Sequence, residues 1–308
     1  MAAQATRARL NHVISSDQFD RERLDDIFAR ARDLAGRRDT RLAGQIMATL
    51  FYEPSTRTRL SFESAMLRLG GAVVGTEAAR QFSSVYKGET LEDTIRMVSG
   101  YADVIVLRHD QAGAAARAAE VASVPVVNAG DGPGEHPTQA LLDLYTIGAE
   151  LGSIEGVHVA FCGDLRFGRT VRSLAMLLSL YPAVRMSFVA PEVVQIGGDI
   201  QQRMRAAGVP IQLTERLDDI IDTVDVVYQT RIQKERFTTP ADYEAARRAI
   251  HIDERVMAAL PKAAVLMHPL PRVDEIDIAV DADPRAAYFR QARNGVAVRM
   301  ALLDMLLG

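Results

Sequence analysis

The sequence predicts an α/β protein of two doubly wound domains, each a parallel sheet flanked by helices. Three observations carry that expectation. Short β-branched runs alternate with helical patterns along nearly the whole chain, as parallel strands joined by crossover helices do. At 308 residues the chain is long for a single core. The polar residues able to do chemistry fall just after strands, where open parallel sheets bind their ligands.

Leu24, Ile27, Phe28, Ala31 and Leu34 recur at helical spacing after a Ser16-Asp17 start signal. The apolar run Ile46 to Phe51 reads as a strand, followed by Glu53-Pro54-Ser55-Thr56 and a helix. Leu60, Met66, Leu67 and Leu69 supply that helix's apolar stripe, and Gly70-Gly71 ends it. Thr76 to Glu89 reads as a polar stretch, and Thr90-Leu91-Glu92-Asp93 as a capping box. Further strands are expected at Val104 to Leu107, Val124 to Val127, Val157 to Cys162, Val184 to Val189, Val224 to Tyr228 and Ala264 to Met267. Helical patterns cover Pro137 to Gly148, Thr170 to Leu180 and Ile200 to Ala207. A boundary follows Pro137, with one domain over 1–136, a connecting helix over 137–149 and a second domain over 150–288.

Composition narrows the function class. With 48% hydrophobic and 25% charged residues, the chain reads as a soluble globular protein. A net charge of -4 argues against a nucleic-acid partner, which favours a basic face. The single cysteine, Cys162, excludes an internal disulfide framework and a Cys-based zinc site. The first twenty residues lack the apolar core of a secretory signal. No apolar run approaches the roughly 18 residues of a membrane span. The expectation is a cytoplasmic protein with no membrane partner. His158 and His251 belong to no cluster with metal-ligand spacing, so no metal is expected.

The informative polar groups follow the strands. Ser55, Thr56, Arg57, Thr58 and Arg59 come after the first strand, and Arg108 and His109 after the next. Asn128-Ala129-Gly130-Asp131-Gly132 and His136 follow another, then Gly163-Asp164 with Arg169. Gln229-Thr230-Arg231-Ile232-Gln233 and His268-Pro269-Leu270-Pro271-Arg272 close the series. At Ser55 to Thr58, free backbone N–H groups, a helix dipole, hydroxyls and a guanidinium would converge on an anion. This is a phosphate site without the nucleotide P-loop pattern. The local residues also allow a plain N-cap serine with solvent-facing arginines. Arg59 points elsewhere on the helix and reads as structural. His136 and Gln139 are three apart at another helix start, so both can face one ligand, although a capping histidine fits locally too.

Ser55-Thr56-Arg57-Thr58-Arg59 together with His136-Pro137-Thr138-Gln139 resembles the signature of the carbamoyltransferases. Lys87-Gly88-Glu89-Thr90-Leu91, Arg231-Ile232-Gln233-Lys234-Glu235-Arg236 and His268-Pro269-Leu270-Pro271-Arg272-Val273-Asp274-Glu275 resemble the aspartate-specific branch. Ornithine-specific members carry a cysteine before the corresponding Leu-Pro, where this chain has Pro269. The resemblance spans nearly the whole chain, with the motifs in the family's order. It implies transfer of the carbamoyl group of carbamoyl phosphate to the amino group of L-aspartate, the committed step of de novo pyrimidine biosynthesis. No metal or cofactor is implied. It also implies that a C-terminal helix, about 291–308, returns to the first domain.

By that resemblance Ser55, Thr56, Arg57 and Thr58 hold the phosphate. Arg108, His136 and Gln139, with Thr58, surround the carbamoyl group, and Arg57, Thr58, Arg108 and His136 form the catalytic set. Arg169, Arg231 and Gln233 take the aspartate carboxylates, while Leu270 and Pro271 offer backbone carbonyls to its amine. Lys87, also placed at the aspartate, reaches in with Ser83 from the neighbouring chain of a homotrimer with shared sites. That trimer stands alone or within a dodecamer containing regulatory or dihydroorotase-like chains. Glu53 bridges the domains in a closed state by pairing with Arg169 and Arg236. Tyr86 stands where the enteric bacterial pattern has a second lysine, and Ser83-Ser84 offers two candidates for the active serine. Among rival readings, an ornithine enzyme is disfavoured because Arg231 and Gln233 suit an anionic substrate. A nucleotide-binding module lacks Gly-x-Gly-x-x-Gly, and a catalytically dead support chain would not need every motif residue intact.

Overall fold

The computed structural model describes residues 10–77, 88–232, 239, 243–244 and 250–308. Their Cα positions group into two compact units. The first holds the described residues of Met1–Gln18, Asp25–Thr138 and Val296–Gly308, and the second holds Phe19–Leu24 and those of Gln139–Gly295.

The first helix, α1 (Arg21–Leu34), starts later than the Ser16-Asp17 signal suggests. Ser16–Gln18 form only a 3-10 turn, and Asp20 is the residue whose carboxylate accepts the Arg23 N–H, at 2.7 Å. An N-terminal N–H left over by the helix needs such an acceptor, and Asp supplies one wherever the backbone turns in. Leu24, Ile27, Phe28, Ala31 and Leu34 are all buried, as their spacing requires.

In the first unit, β1 (Ile46–Phe51), α2 (Thr56–Arg68), β2 (Ala72–Glu77), α3 (Leu91–Val98), β3 (Val104–His109), α4 (Ala114–Val121) and β4 (Val126–Asp131) follow in order. The strands are parallel, in the order β2-β1-β3-β4. Period-two alternation sends Ala48, Leu50, Ile105, Leu107 and Val126 into one core with Leu91, Ile95 and Val98 of α3 and Ala114 and Ala118 of α4. Thr90 caps α3 by accepting the Asp93 N–H at 3.1 Å. Two expectations are corrected. Ala72–Glu77 is a strand not expected from the sequence, and its last two residues, Thr76 and Glu77, fall in the stretch read as polar. The buried face of α2 is Thr58, Phe62, Ala65 and Met66, whereas Leu60 and Leu67 are exposed.

In the second unit, α5 (Pro137–Leu151, beginning in the first unit) leads to β5 (His158–Cys162), α6 (Arg169–Leu178), β6 (Arg185–Val189), α7 (Gly198–Ala206), β7 (Ile211–Thr214), β8 (Val226–Gln229), α8 (Glu254–Ala259) and β9 (Val265–Met267). Its sheet is also parallel, in the order β7-β6-β5-β8-β9. Strand β7, between α7 and the Leu217–Asp219 turn, was not expected from sequence. The last helix, α9 (Tyr288–Leu307), starts in the second unit and ends in the first.

Each sheet is doubly wound. In the first, the chain steps from β1 to β2 on one side and through β3 to β4 on the other. In the second, it steps from β5 through β6 to β7, then restarts beside β5 with β8. The carboxyl ends of β1 and β3, and of β5 and β8, are therefore the two topological switch points, where loops diverge and leave a crevice for a ligand.

Candidate active site

The first switch point joins the loop after β1 to the end of β3. Phe51 is in register with Arg108, and the Tyr52 N–H donates to the Arg108 carbonyl at 2.9 Å. Adjacent parallel strands lie about 4.8 Å apart, so the Glu53–Thr58 segment emerges beside Arg108. The Arg108 guanidinium is largely buried. Its Nη2 lies 3.4 Å from Glu53 Oε2, and Nη1 donates to the Ala129 carbonyl at 3.2 Å. Ser55 is the N-cap of α2, yet its side chain makes no capping hydrogen bond. Ser55 thus takes the N-cap position of the local alternative without making its hydrogen bond, and Arg57 is exposed. Thr58 is buried and Arg57 opens outward. Partial desolvation pulls the Arg57 guanidinium below its ordinary pKa. Arg59 lies 3.5 Å from Glu63, one turn along α2, as expected of a structural residue.

His136 is buried at the end of the loop after β4. Asp131 builds that loop: its Oδ1 accepts the Glu135 N–H and its Oδ2 the Gly113 N–H, both at 2.8 Å. Gly132, at φ +56, donates to the His109 carbonyl at 2.7 Å. A Cβ there would meet the Asp110 carbonyl oxygen at 2.1 Å, so only glycine fits. The Glu135 carboxylate accepts Ser15 Oγ and the Ser16 N–H at 2.6 and 2.7 Å, which fastens the segment just before His136.

The second switch point holds Arg169, at the start of α6, and Arg231, after β8. Thr230 links the two loops. Its N–H donates to the Cys162 carbonyl at 2.8 Å and its Oγ1 to the same carbonyl at 3.0 Å. Asp164 Oδ1 accepts the Phe167 N–H at 3.0 Å, shaping the turn into Arg169. Leu270 and Pro271 follow β9, the next strand in the sheet. Burial pushes the Cys162 thiol up, out of the range where it would act as a nucleophile. Ser83, Ser84, Tyr86, Lys87, Gln233 and Arg236 lie outside the described residues.

His158 and His251 are structural, as read from sequence. The His158 ring spans the Thr223 carbonyl and Ser187 Oγ, at 3.1 and 2.8 Å. His251 reaches the Asp274 carbonyl and Asp277, both at 2.9 Å.

Two family models divide the chain between them. The carbamoyl-P binding domain of the aspartate/ornithine carbamoyltransferases matches residues 11–149, and the family's Asp/Orn binding domain matches residues 155–306. The chain belongs to the aspartate/ornithine carbamoyltransferase family. Among its relatives, the chloroplastic aspartate carbamoyltransferase of Oryza sativa subsp. japonica is 56% identical, covering 99% of this chain and 87% of the relative. The aspartate carbamoyltransferase catalytic subunit of Methanocaldococcus jannaschii is 50% identical over 97% of this chain and 98% of its own. A solved structure of the M. jannaschii catalytic subunit superposes with a TM-score of 0.91 at 49% identity, covering 97% of this chain and 98% of that one. The aspartate transcarbamoylase of Trypanosoma cruzi, solved with N-(phosphonacetyl)-L-aspartic acid, has a TM-score of 0.91 at 45% identity, covering 97% and 96%.

The carbamoyltransferase fold also buries polar residues that sequence reasoning passed over. Asp143, one turn after Gln139 on α5, accepts the Gln139 amide at 2.8 Å, the Gln291 amide at 2.7 Å and the Tyr228 phenol at 2.7 Å. Burial, then the Asp143 charge, raises the Tyr228 phenol well above its ordinary value, so it stays a donor. One signal was present: Asp143 interrupts the otherwise apolar run Ala140 to Leu144 at the i+4 position from Gln139. His268 and Glu275, noted from sequence only as parts of a motif, are buried and paired at 2.7 Å.

Proposed function

We propose that this carbamoyltransferase moves the carbamoyl group of carbamoyl phosphate to the amino group of L-aspartate, giving N-carbamoyl-L-aspartate and phosphate. One arrangement carries the reading: the segment that leads from β1 into Ser55 to Thr58 emerges beside the largely buried Arg108. Ser55, Thr56, Arg57 and Thr58 would hold the phosphate at the α2 N-terminus, where backbone N–H groups and the helix dipole favour an anion. Arg169, Arg231 and Gln233 would take the two aspartate carboxylates, since planar guanidinium matches carboxylate geometry. Leu270 and Pro271 would offer carbonyls to the substrate amine. The amine nitrogen attacks the carbamoyl carbon, and negative charge builds on the carbamoyl oxygen. Thr58, Arg108 and His136 donate to that oxygen. The bond from carbon to the phosphate oxygen then breaks, and the leaving phosphate takes the amine proton.

The deciding experiment follows phosphate release from carbamoyl phosphate with aspartate, with ornithine or with neither. Release with aspartate alone supports the reading, and a preference for ornithine overturns it.

A homotrimer with shared sites belongs to the same proposal, with Ser83 and Lys87 supplied by the neighbouring chain. Subunits of Lys87→Ala and His136→Ala, each inactive, should regain part of the activity when mixed and exchanged. Verified exchange without recovery means Lys87 serves its own chain. No helix among the described residues is long and apolar enough to cross a membrane. Plant relatives are named chloroplastic, so a cytoplasmic location is part of the proposal, checked by cell fractionation.

A further inference from the structure

We infer that Asp143, Gln291 and His268 form a buried positioning relay that sets the Gln139 side chain and the Leu270 backbone as one unit. The inference rests on the carbamoyl-transfer reading, which places Gln139 at the carbamoyl group and Leu270 at the aspartate amine. It adds residues that touch neither substrate.

The relay is continuous. Gln139 Nε2 donates to Asp143 Oδ1 at 2.8 Å, and Gln291 Nε2 donates to the same oxygen at 2.7 Å. Gln291 Oε1 accepts the His268 N–H at 2.9 Å, and His268 Nδ1 accepts the Leu270 N–H at 2.7 Å. Tyr228 closes the near end by donating to Asp143 Oδ2 at 2.7 Å, and Glu275 the far end by accepting from His268 Nε2 at 2.7 Å. Asp143 and Tyr228 are 0% exposed, Gln291 and His268 1%.

Each link fixes an orientation at the site. An ionised carboxylate only accepts, so Asp143 must face the nitrogen end of the Gln139 amide. That leaves Gln139 Oε1 as the acceptor on offer, which is what a carbamoyl NH2 group needs. At the other end, His268 is a neutral imidazole protonated on Nε2, because its Nδ1 accepts a hydrogen bond. By holding the Leu270 N–H it secures that residue at φ +54, a left-handed conformation that leucine avoids. This torsion places the Leu270 carbonyl carbon relative to the held N–H. Apolar side chains of similar volume could fill the same space without any desolvation cost. The polar chain instead supplies a defined geometry at two separate substrate contacts.

Gln291 is the link to cut, since it bridges the halves and touches no proposed substrate atom. In the purified full-length enzyme, Gln291→Met keeps the volume and removes both bonds. The expected result is a rise of about tenfold in the aspartate KM, the size of one lost buried hydrogen bond, with the carbamoyl phosphate KM changed much less. Gln291→Asn, too short to span both partners, should show the same split if the methionine variant fails to fold. In a double-variant cycle with Gln139→Met, the two losses should be markedly less than multiplicative, because both act through Asp143. A folded Gln291 variant with both KM values within twofold of the parent's overturns the relay, and fully multiplicative losses in the double-variant cycle overturn the coupling between its two ends. A parent enzyme that fails to carbamoylate aspartate overturns the underlying reading instead.

Discussion

Glu53 Oε2 lies 3.4 Å from Arg108 Nη2, tying the loop after β1 to the end of β3 inside the first unit. The family resemblance assigns Glu53 to a different pairing, with Arg169 and Arg236 in a closed state. The Arg108 contact gives it a task without that closure, which is to aim the guanidinium proposed to meet the carbamoyl oxygen. Glu53→Ala should lower kcat/KM at least about tenfold, by analogy with the loss of one positioned hydrogen bond. Stability should change by less than about 1 kcal/mol, because the glutamate is partly exposed. Unchanged kinetics in the variant would show that Arg108 keeps its aim without Glu53.

Arg57→Ala should collapse turnover while leaving the fold intact. Arg57 lies in the first turn of α2, at the proposed phosphate site, and burial lowers its guanidinium pKa below the ordinary value. Removing a donor of this kind costs roughly 10²–10³ in rate. Steady-state kinetics beside a circular-dichroism melt checks it, and near-normal turnover would remove Arg57 from the phosphate site.

Arg231→Ala should raise the aspartate KM far more than that of carbamoyl phosphate. Arg231 follows β8 at the second unit's switch point. A selective rise marks an aspartate contact, and equal effects on both substrates would mean that Arg231 supports the fold.

The His268–Glu275 pair should give the enzyme a defined acid limb of stability. Burial alone would raise the Glu275 carboxyl, but the His268 ring and backbone N–H groups outweigh it and hold the pKa below the ordinary glutamate value. A carboxyl depressed in the folded state stabilises fully above its unfolded pKa of about 4.3. That contribution is lost as pH falls through the lower folded value. Glu275→Gln should therefore cost roughly 1–3 kcal/mol near neutral pH, and the gap in Tm from the parent should narrow below about pH 4. A gap that stays constant down to pH 3 would show that the Glu275 charge contributes nothing.

The central strands of both sheets were legible because β1, β3, β5 and β8 are buried on both faces and read as continuous apolar runs. The edge strands β2 and β7 were not, although β4 and β9, which are also edges, were. In β2, Ala72, Val74 and Gly75 are exposed, and β7 has no buried residue. Their few β-formers make runs too short and exposed to stand out, and hydrogen bonds to β1 and β6 complete their extended shape. The exposure of Leu60 and Leu67 has the same character, since an apolar residue on a helix need not face the core.

By itself the sequence determined the α/β class, the alternation of elements and the clustering of Ser55 to Thr58, Arg108, His136, Arg169 and Arg231 after strands. Those features are local, written in hydrophobic period and in the residues that end each strand. Only the tertiary structure decided that Glu53 holds Arg108, that Ser55 leaves its cap unmade, and that Asp143 joins Gln139 to Gln291. Asp143 and Gln291 stand 148 positions apart in the chain. A hydrogen bond is satisfied only by an atom within about 3 Å, and no local pattern says which distant residue the fold will bring that near.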